Sequence, residues 1–169
     1  MTVLELLKTE FEYEMTSTRK VLERVPADKF AWRPHAKSMS LARLASHVAT
    51  LPMWASTMVD EGPEDGEEVA VLEPACPTSS AELLACFERS ACQGRDYLYG
   101  LSDDDLARPW TLLVREQDVC AMTRAEVLRM AIMNHLAHHR GQLIVYLRML
   151  DVPVPGIYGP SADDESAYA

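Results

Sequence analysis

No stretch of the 169 residues carries the run of about 18 apolar side chains that a membrane-spanning helix needs. Nor is there a basic excess: 16 basic residues face 26 acidic ones, for a net charge of −10. That balance argues against binding a nucleic-acid backbone or docking on an anionic membrane, both of which need a basic footprint. The first residues, Met1-Thr2-Val3-Leu4-Glu5, lack the basic start and continuous apolar core of a signal peptide. A cytoplasmic location is the expectation. The four cysteines, Cys76, Cys86, Cys92 and Cys120, include no CxxC pair. They read as free thiols, with Cys86 and Cys92 buried in a helical pattern rather than serving as metal ligands. Several catalytic signatures are also missing. There is no H-E-x-x-H, no Glu-x-x-His pair of the ferritin-like di-iron proteins, no G-x-S-x-G, no phosphate-binding loop and no G-x-G-x-x-G. No internal repeat or low-complexity tract occurs.

What is present is the composition of a globular chain, 48% apolar and 25% charged, long enough for one domain over residues 1–169 with a real core. Much of the acid lies in residues 60–73, which hold seven acidic side chains and no base, and reads as a solvated loop.

Helix starts are marked clearly. Thr2-Val3-Leu4-Glu5, Ser79-Ser80-Ala81-Glu82 and Thr123-Arg124-Ala125-Glu126 each have the S/T-x-x-E form, in which the hydroxyl and the glutamate satisfy each other's backbone amides. Ser40 offers a fourth start. The spacing of apolar residues predicts helices over about 2–24, 40–60, 79–101 and 123–150. Pro52 predicts a kink or break in the second. Ser102-Asp103-Asp104-Asp105 suits a short extra turn, and residues 110–119 suit an extended hairpin or loop. The tail, 153–169, is rich in Pro, Gly and Asp and cannot continue the last helix; its end reads as mobile. Four amphipathic helices bury their stripes most simply as an all-α four-helix bundle.

The chemistry lies in the histidines. His135 and His139 are four residues apart on the last helix, about 40° apart in azimuth and about 6 Å along the axis, so both can reach one ion. Leu128, Ala131, Ile132, His135, His139, Gln142 and Tyr146 follow one face, read as the buried one. On the second helix Leu44, His47, Val48, Leu51, Ala55 and Met58 form a stripe that turns His47 toward the bundle axis. Each histidine could instead be a hydrogen-bonded core residue, but three together make a plausible metal site. Three neutral ligands leave coordination positions open, as catalytic rather than structural zinc sites do. His138 reads as a flank residue, a substitute ligand or an outer partner. His35 reads as solvated. Asn134 and Arg140 read as surface or helix-contact residues. Gln142 reads as a donor to a ligand-bound oxygen or a partner for a core acceptor. Trp32, Trp54 and Tyr146 are either pocket walls or core aromatics. No residue stands out as a general base, and the catalytic residues are left unassigned.

Certain stretches together resemble the DinB family, the damage-inducible DinB/YfiT-like group rather than the DNA polymerase of the same name. They are Asn134-His135-Leu136-Ala137-His138-His139-Arg140-Gly141-Gln142-Leu143, Tyr146-Leu147-Arg148, Val154-Pro155 and Tyr158-Gly159-Pro160-Ser161. Trp32-Arg33-Pro34, Ser38-Met39-Ser40-Leu41 and Leu44-Ala45-Ser46-His47 resemble that family's first-histidine region. The resemblance implies a four-helix bundle of unusual connectivity, often a homodimer. It also implies a divalent ion, zinc or nickel, on three histidines matching His47, His135 and His139. Relatives of this kind include metal-dependent hydrolases and transferases or isomerases that use low-molecular-weight thiols. The expected function is thus a metal enzyme activating water or a low-molecular-weight thiol toward a small-molecule substrate. The alternative is a non-catalytic metal- or ligand-binding stress-response protein.

Overall fold

The computed structural model describes residues 1–59, 76–114 and 117–164. The acidic stretch 60–73, the side chain of Cys120 and the end of the tail lie outside the described residues.

Thr2 opens the chain as expected. Its hydroxyl accepts from the Glu5 amide, and the Glu5 carboxylate accepts from the Thr2 amide. Helix α1 then runs Val3–Leu22. A short turn at Ala27–Lys29 leads to Ser40, whose hydroxyl caps α2, Leu41–Thr50. Pro52 breaks the second helix, having no amide to give and a ring that crowds the preceding turn. The chain makes one tight turn at Leu51–Met53 and restarts as α3, Trp54–Val59.

At α4, Ser80–Gly100, half of the expected cap forms. The Ser79 hydroxyl accepts from the Glu82 amide, but the Glu82 carboxylate turns to the amide and hydroxyl of Thr78 instead. Ser102 and Asp105 form a reciprocal cap on the short α5, Asp103–Leu106. The expected hairpin is present: β1, Pro109–Val114, pairs antiparallel with β2, Gln117–Thr123, with an irregularity between Leu112 and Leu113. Thr123 and Glu126 cap the short α6, Arg124–Val127.

The last helix departs from the uniform α-helix expected over 123–150. Between α6 and α7, His135–Met149, the segment Leu128–Asn134 is wound as a wider π-helix. Such segments are rare and often occur at functional sites. Apolar spacing does not reveal them, because Leu128, Ile132 and Leu136 remain buried across the change of pitch.

Both α1 and α2 pack against α4 and α7, which gives the four-helix bundle. Helices α1 and α2 also touch one another. Leu7 and Phe11, Leu44 and Val48, Leu83 and Phe87, and Leu136 and Leu143 are among the core residues.

The broken turn at Pro52 is held by α4. The Met53 amide donates to Ser90 Oγ at 2.9 Å, and Ser90 Oγ donates to the Thr50 carbonyl at 3.1 Å. Four residues on, Gly94 lets the two backbones meet. A Cβ there would lie 2.3 Å from the Pro52 carbonyl oxygen and 3.2 Å from the Phe11 ring. Backbone on one side and a core ring on the other leave a methyl nowhere to go. Gly94→Ala is therefore expected to destabilise by about 1–3 kcal/mol. Thermal unfolding followed by circular dichroism checks this, and an unchanged midpoint would contradict the close approach.

Helix α7 ends with Asp151 in the left-handed region, φ 57. The Val152 amide donates to the Leu147 carbonyl and the Asp151 amide to that of Arg148, closing the end in a Schellman arrangement. The tail folds back beyond it. Arg148 holds the Asp163 carboxylate through two hydrogen bonds, and the same carboxylate accepts from the Val154 amide.

Candidate metal centre

The break at Pro52 and the π-helical segment both end beside the histidines. Trp54 opens α3, and its indole lies 5.5 Å from the His47 ring and 5.6 Å from the His135 ring, edge to face in both cases. Of the aromatics read as pocket walls or core, Trp54 thus lines the histidine cluster. Trp32 and Tyr146 instead meet each other edge to face at 5.4 Å.

The face of α7 carrying the histidines needs correcting. The fully buried stripe is Leu136, Arg140, Leu143 and Leu147. His135, His139 and Tyr146 lie half-buried on its shoulder, and Gln142 is exposed. His47 is also half-buried, beside the buried Leu44, Val48 and Leu51. Core residues therefore flank the imidazoles without burying them fully.

The three rings turn their Nε2 atoms toward one point. His135 Nε2 lies 2.9 Å from His139 Nε2 and 3.3 Å from His47 Nε2. An ion about 2.0–2.1 Å from two nitrogens sets them about 2.9 Å apart at a right angle and about 3.3 Å apart at the tetrahedral angle. One ligand atom from each residue falls within 4.8 Å of the others, so the group could hold a metal ion.

The outward nitrogens decide the tautomers. His135 Nδ1 lies 3.2 Å from the Ala131 carbonyl, which can only accept, so Nδ1 carries the proton and Nε2 the lone pair. The π-helical segment makes this contact available. The His135 amide bonds the Ile132 carbonyl, leaving its ring to take Ala131, the acceptor an α-helix assigns to that amide. His139 Nδ1 lies 2.8 Å from Gln142 Oε1 and is held in the same way. For His135 and His139 an acceptor faces the outward nitrogen, an arrangement that metal-binding histidines use.

Electrostatics act in the same direction. Burial, then His139, His135 and Arg43, push the His47 pKa down from 6.5 to about 4. Burial also lowers His135 and His139 against the opposing pull of Ala131 and Gln142. All three therefore favour the neutral, ligating form. Lowered folded-state values mean that the unfolded chain binds more protons as the medium is acidified. The cluster's contribution to stability is intact above about pH 6.5 and lost as pH falls toward 4. In the metal-free protein the unfolding midpoint is expected to drop across that window more than in a His47→Ala/His135→Ala/His139→Ala variant. Parallel pH curves would contradict the shifts.

The remaining expectations divide. Asn134, His35 and His138 are exposed, as read from the sequence. Gln142 is exposed rather than in the core; its Oε1 faces His139 Nδ1 and its Nε2 lies 3.1 Å from His138 Nε2. Cys86 is only half-buried and Cys92 is exposed, where burial was expected, because the α4 core stripe passes through Leu83, Phe87, Ala91, Gly94 and Leu98 instead. Neither belongs to the histidine group.

The largest surprise is Arg140, read as a surface or helix-contact residue but 1% exposed. It lies 2.5 Å from the Glu14 carboxylate and donates to Thr18 Oγ1 and to the hydroxyl of Tyr158, which in turn donates to Glu14. Its α1 partners, Glu14 and Thr18, lie more than a hundred residues away and Tyr158 lies 18 residues on in the tail, so local pattern could not place it. Their polar side chains within apolar periodicity were the available signal.

Among the described residues no helix is long and apolar enough to cross a membrane. Comparison with known proteins agrees with this architecture. An uncharacterised protein, YrdA, of Bacillus subtilis (strain 168) is 24% identical over 159 residues, covering 94% of this chain and 89% of the relative. The crystal structure of a DinB-like protein from Bacillus cereus ATCC 10987 superposes with a TM-score of 0.74 at 24% identity, over 91% of this chain and 97% of that one. The DinB-like protein YjoA of Bacillus subtilis gives a TM-score of 0.69 at 20% identity, over 90% and 96%. The DinB family model matches residues 1–167, and the chain belongs to the DinB family.

Proposed function

We propose that this protein is a metal-dependent enzyme. His47, His135 and His139 hold one divalent ion, zinc or nickel, and the site activates a low-molecular-weight thiol, or water, toward a small-molecule electrophile. One observation carries the proposal: the three Nε2 atoms converge while the outward nitrogens of His135 and His139 are committed to acceptors.

The donor set suits such an ion. Three neutral imidazoles fit zinc or nickel and cancel none of the +2 charge. Bound there, the ion supplies Lewis acidity, which lowers the pKa of a water and deprotonates a thiol. The chain's part is to place and shield it. Ala131 and Gln142 fix two imidazoles, and the Trp54 edge covers the rings of His47 and His135.

The test is a pair of assays on protein loaded with zinc or nickel. One follows consumption of a low-molecular-weight thiol with an electrophilic acceptor, and the other follows ester hydrolysis. Metal-dependent thiol consumption that disappears in His135→Ala supports the proposal. Bound metal with no turnover in either assay would overturn the enzymatic part and leave a metal-binding protein.

A further inference from the structure

We infer that Arg43 sets the substrate charge at the histidine site, and that the small molecule served there carries a carboxylate which the Arg43 guanidinium holds; this rests on the three-histidine reading above. Helix α2 is almost wholly enclosed. Of its ten residues, Leu41 to Thr50, all are buried except Arg43 and His47. These two stand four residues apart, so their Cβ atoms lie about 6 Å from each other on one face of the helix. The single window through which α2 meets solvent therefore shows a cation beside a candidate metal ligand. The two are close enough for Arg43 to be among the charges that bear on His47.

The helices around that window share its sign. Helices α2, α3 and α7 supply the three histidines and Trp54, and none of them contains an Asp or Glu. In a chain of net charge −10 that is a marked local departure. Three neutral imidazoles leave the charge of a divalent ion uncancelled, and Arg43 adds to it. Such a site draws in anions and gives a neutral molecule no comparable pull. Arginine also supplies geometry: its planar fork pairs with a carboxylate through two parallel hydrogen bonds. Its five N–H donors leave room for a ligand whatever else the guanidinium touches. A low-molecular-weight thiol with a carboxylate a few bonds from the sulfur meets both features, sulfur toward the histidines and carboxylate toward Arg43.

Calorimetric titration tests this without any turnover. Nickel-loaded protein is titrated with mercaptopropionate and with mercaptopropanol, which differ in charge and little in size. The ratio of the two affinities is taken within each loaded protein, so a change in metal affinity cancels. Arg43 is exposed, so its variants are expected to fold. The parent is expected to prefer the acid, and Arg43→Gln to lower that preference by about 10-fold, the loss of one charge-assisted contact. Arg43→Lys keeps the charge without the fork and is expected to retain part of the preference. Lys8→Gln removes the same charge from beside the Tyr99 ring and is expected to leave the ratio unchanged. An unchanged ratio in Arg43→Gln, an equal fall in Lys8→Gln, or a loaded parent that binds neither thiol would overturn the inference and leave the metal site standing. A parent that takes up neither nickel nor zinc would overturn the three-histidine reading itself, and this inference with it.

Discussion

His135→Ala is expected to abolish metal retention and every metal-dependent activity, while leaving the bundle folded. His135 is the middle member of the cluster, with its Nε2 at 3.3 Å from His47 and 2.9 Å from His139. Removing it leaves two ligands on different helices with nothing between them. The loss of affinity should exceed the about 10- to 100-fold typical of an outer-shell change. The side chain is only half-buried, so its truncation opens no large core cavity. Metal competition and circular dichroism on one preparation separate the two effects. A variant that keeps its metal at the parent's affinity would show that His135 is not a ligand.

Arg140→Ala is expected to have the largest effect on stability, about 3–5 kcal/mol. The guanidinium is buried against Glu14, Thr18 and Tyr158, and Glu14 is itself 4% exposed. Truncating the arginine strands a carboxylate in the core, with three hydrogen bonds lost besides, to the Glu14 carbonyl, Thr18 and Tyr158. For a chain of this size such a change lowers the unfolding midpoint by about 10 °C. The pair as a whole need not be strongly stabilising, because both charges give up water to be there. A double variant, Arg140→Met with Glu14→Leu, is therefore expected to recover much of the loss. Failure to recover would indicate that the Tyr158 contact, which ties the tail to α1 and α7, dominates. A single variant as stable as the parent would contradict the buried pair outright.

The helices were legible because their signals are local. Hydroxyls at Thr2, Ser40 and Thr123, a proline at 52 and apolar spacing each act within a few residues. His135 and His139 were legible for the same reason, since four residues on a helix fix their separation. His47 was harder, because its partnership depends on α2 packing against α7.

What stayed hidden depends on geometry that spacing does not carry. The π-helical segment leaves the apolar pattern intact yet changes which backbone group faces the His135 ring. It accompanies a shift of the histidines from the expected buried face to the half-buried shoulder of the core. Arg140 falls on the buried stripe that the histidines were thought to occupy, and a fully buried arginine is rare enough that sequence alone argues against it.

The most direct test of the central claim is the metal content of the tag-free protein, measured by plasma mass spectrometry beside the His47→Ala/His135→Ala/His139→Ala variant. The three-histidine group predicts about one divalent ion per chain in the parent and none in the variant. A parent that holds no divalent ion even after incubation with zinc and nickel would contradict it and return the three histidines to the role of packed, half-buried side chains.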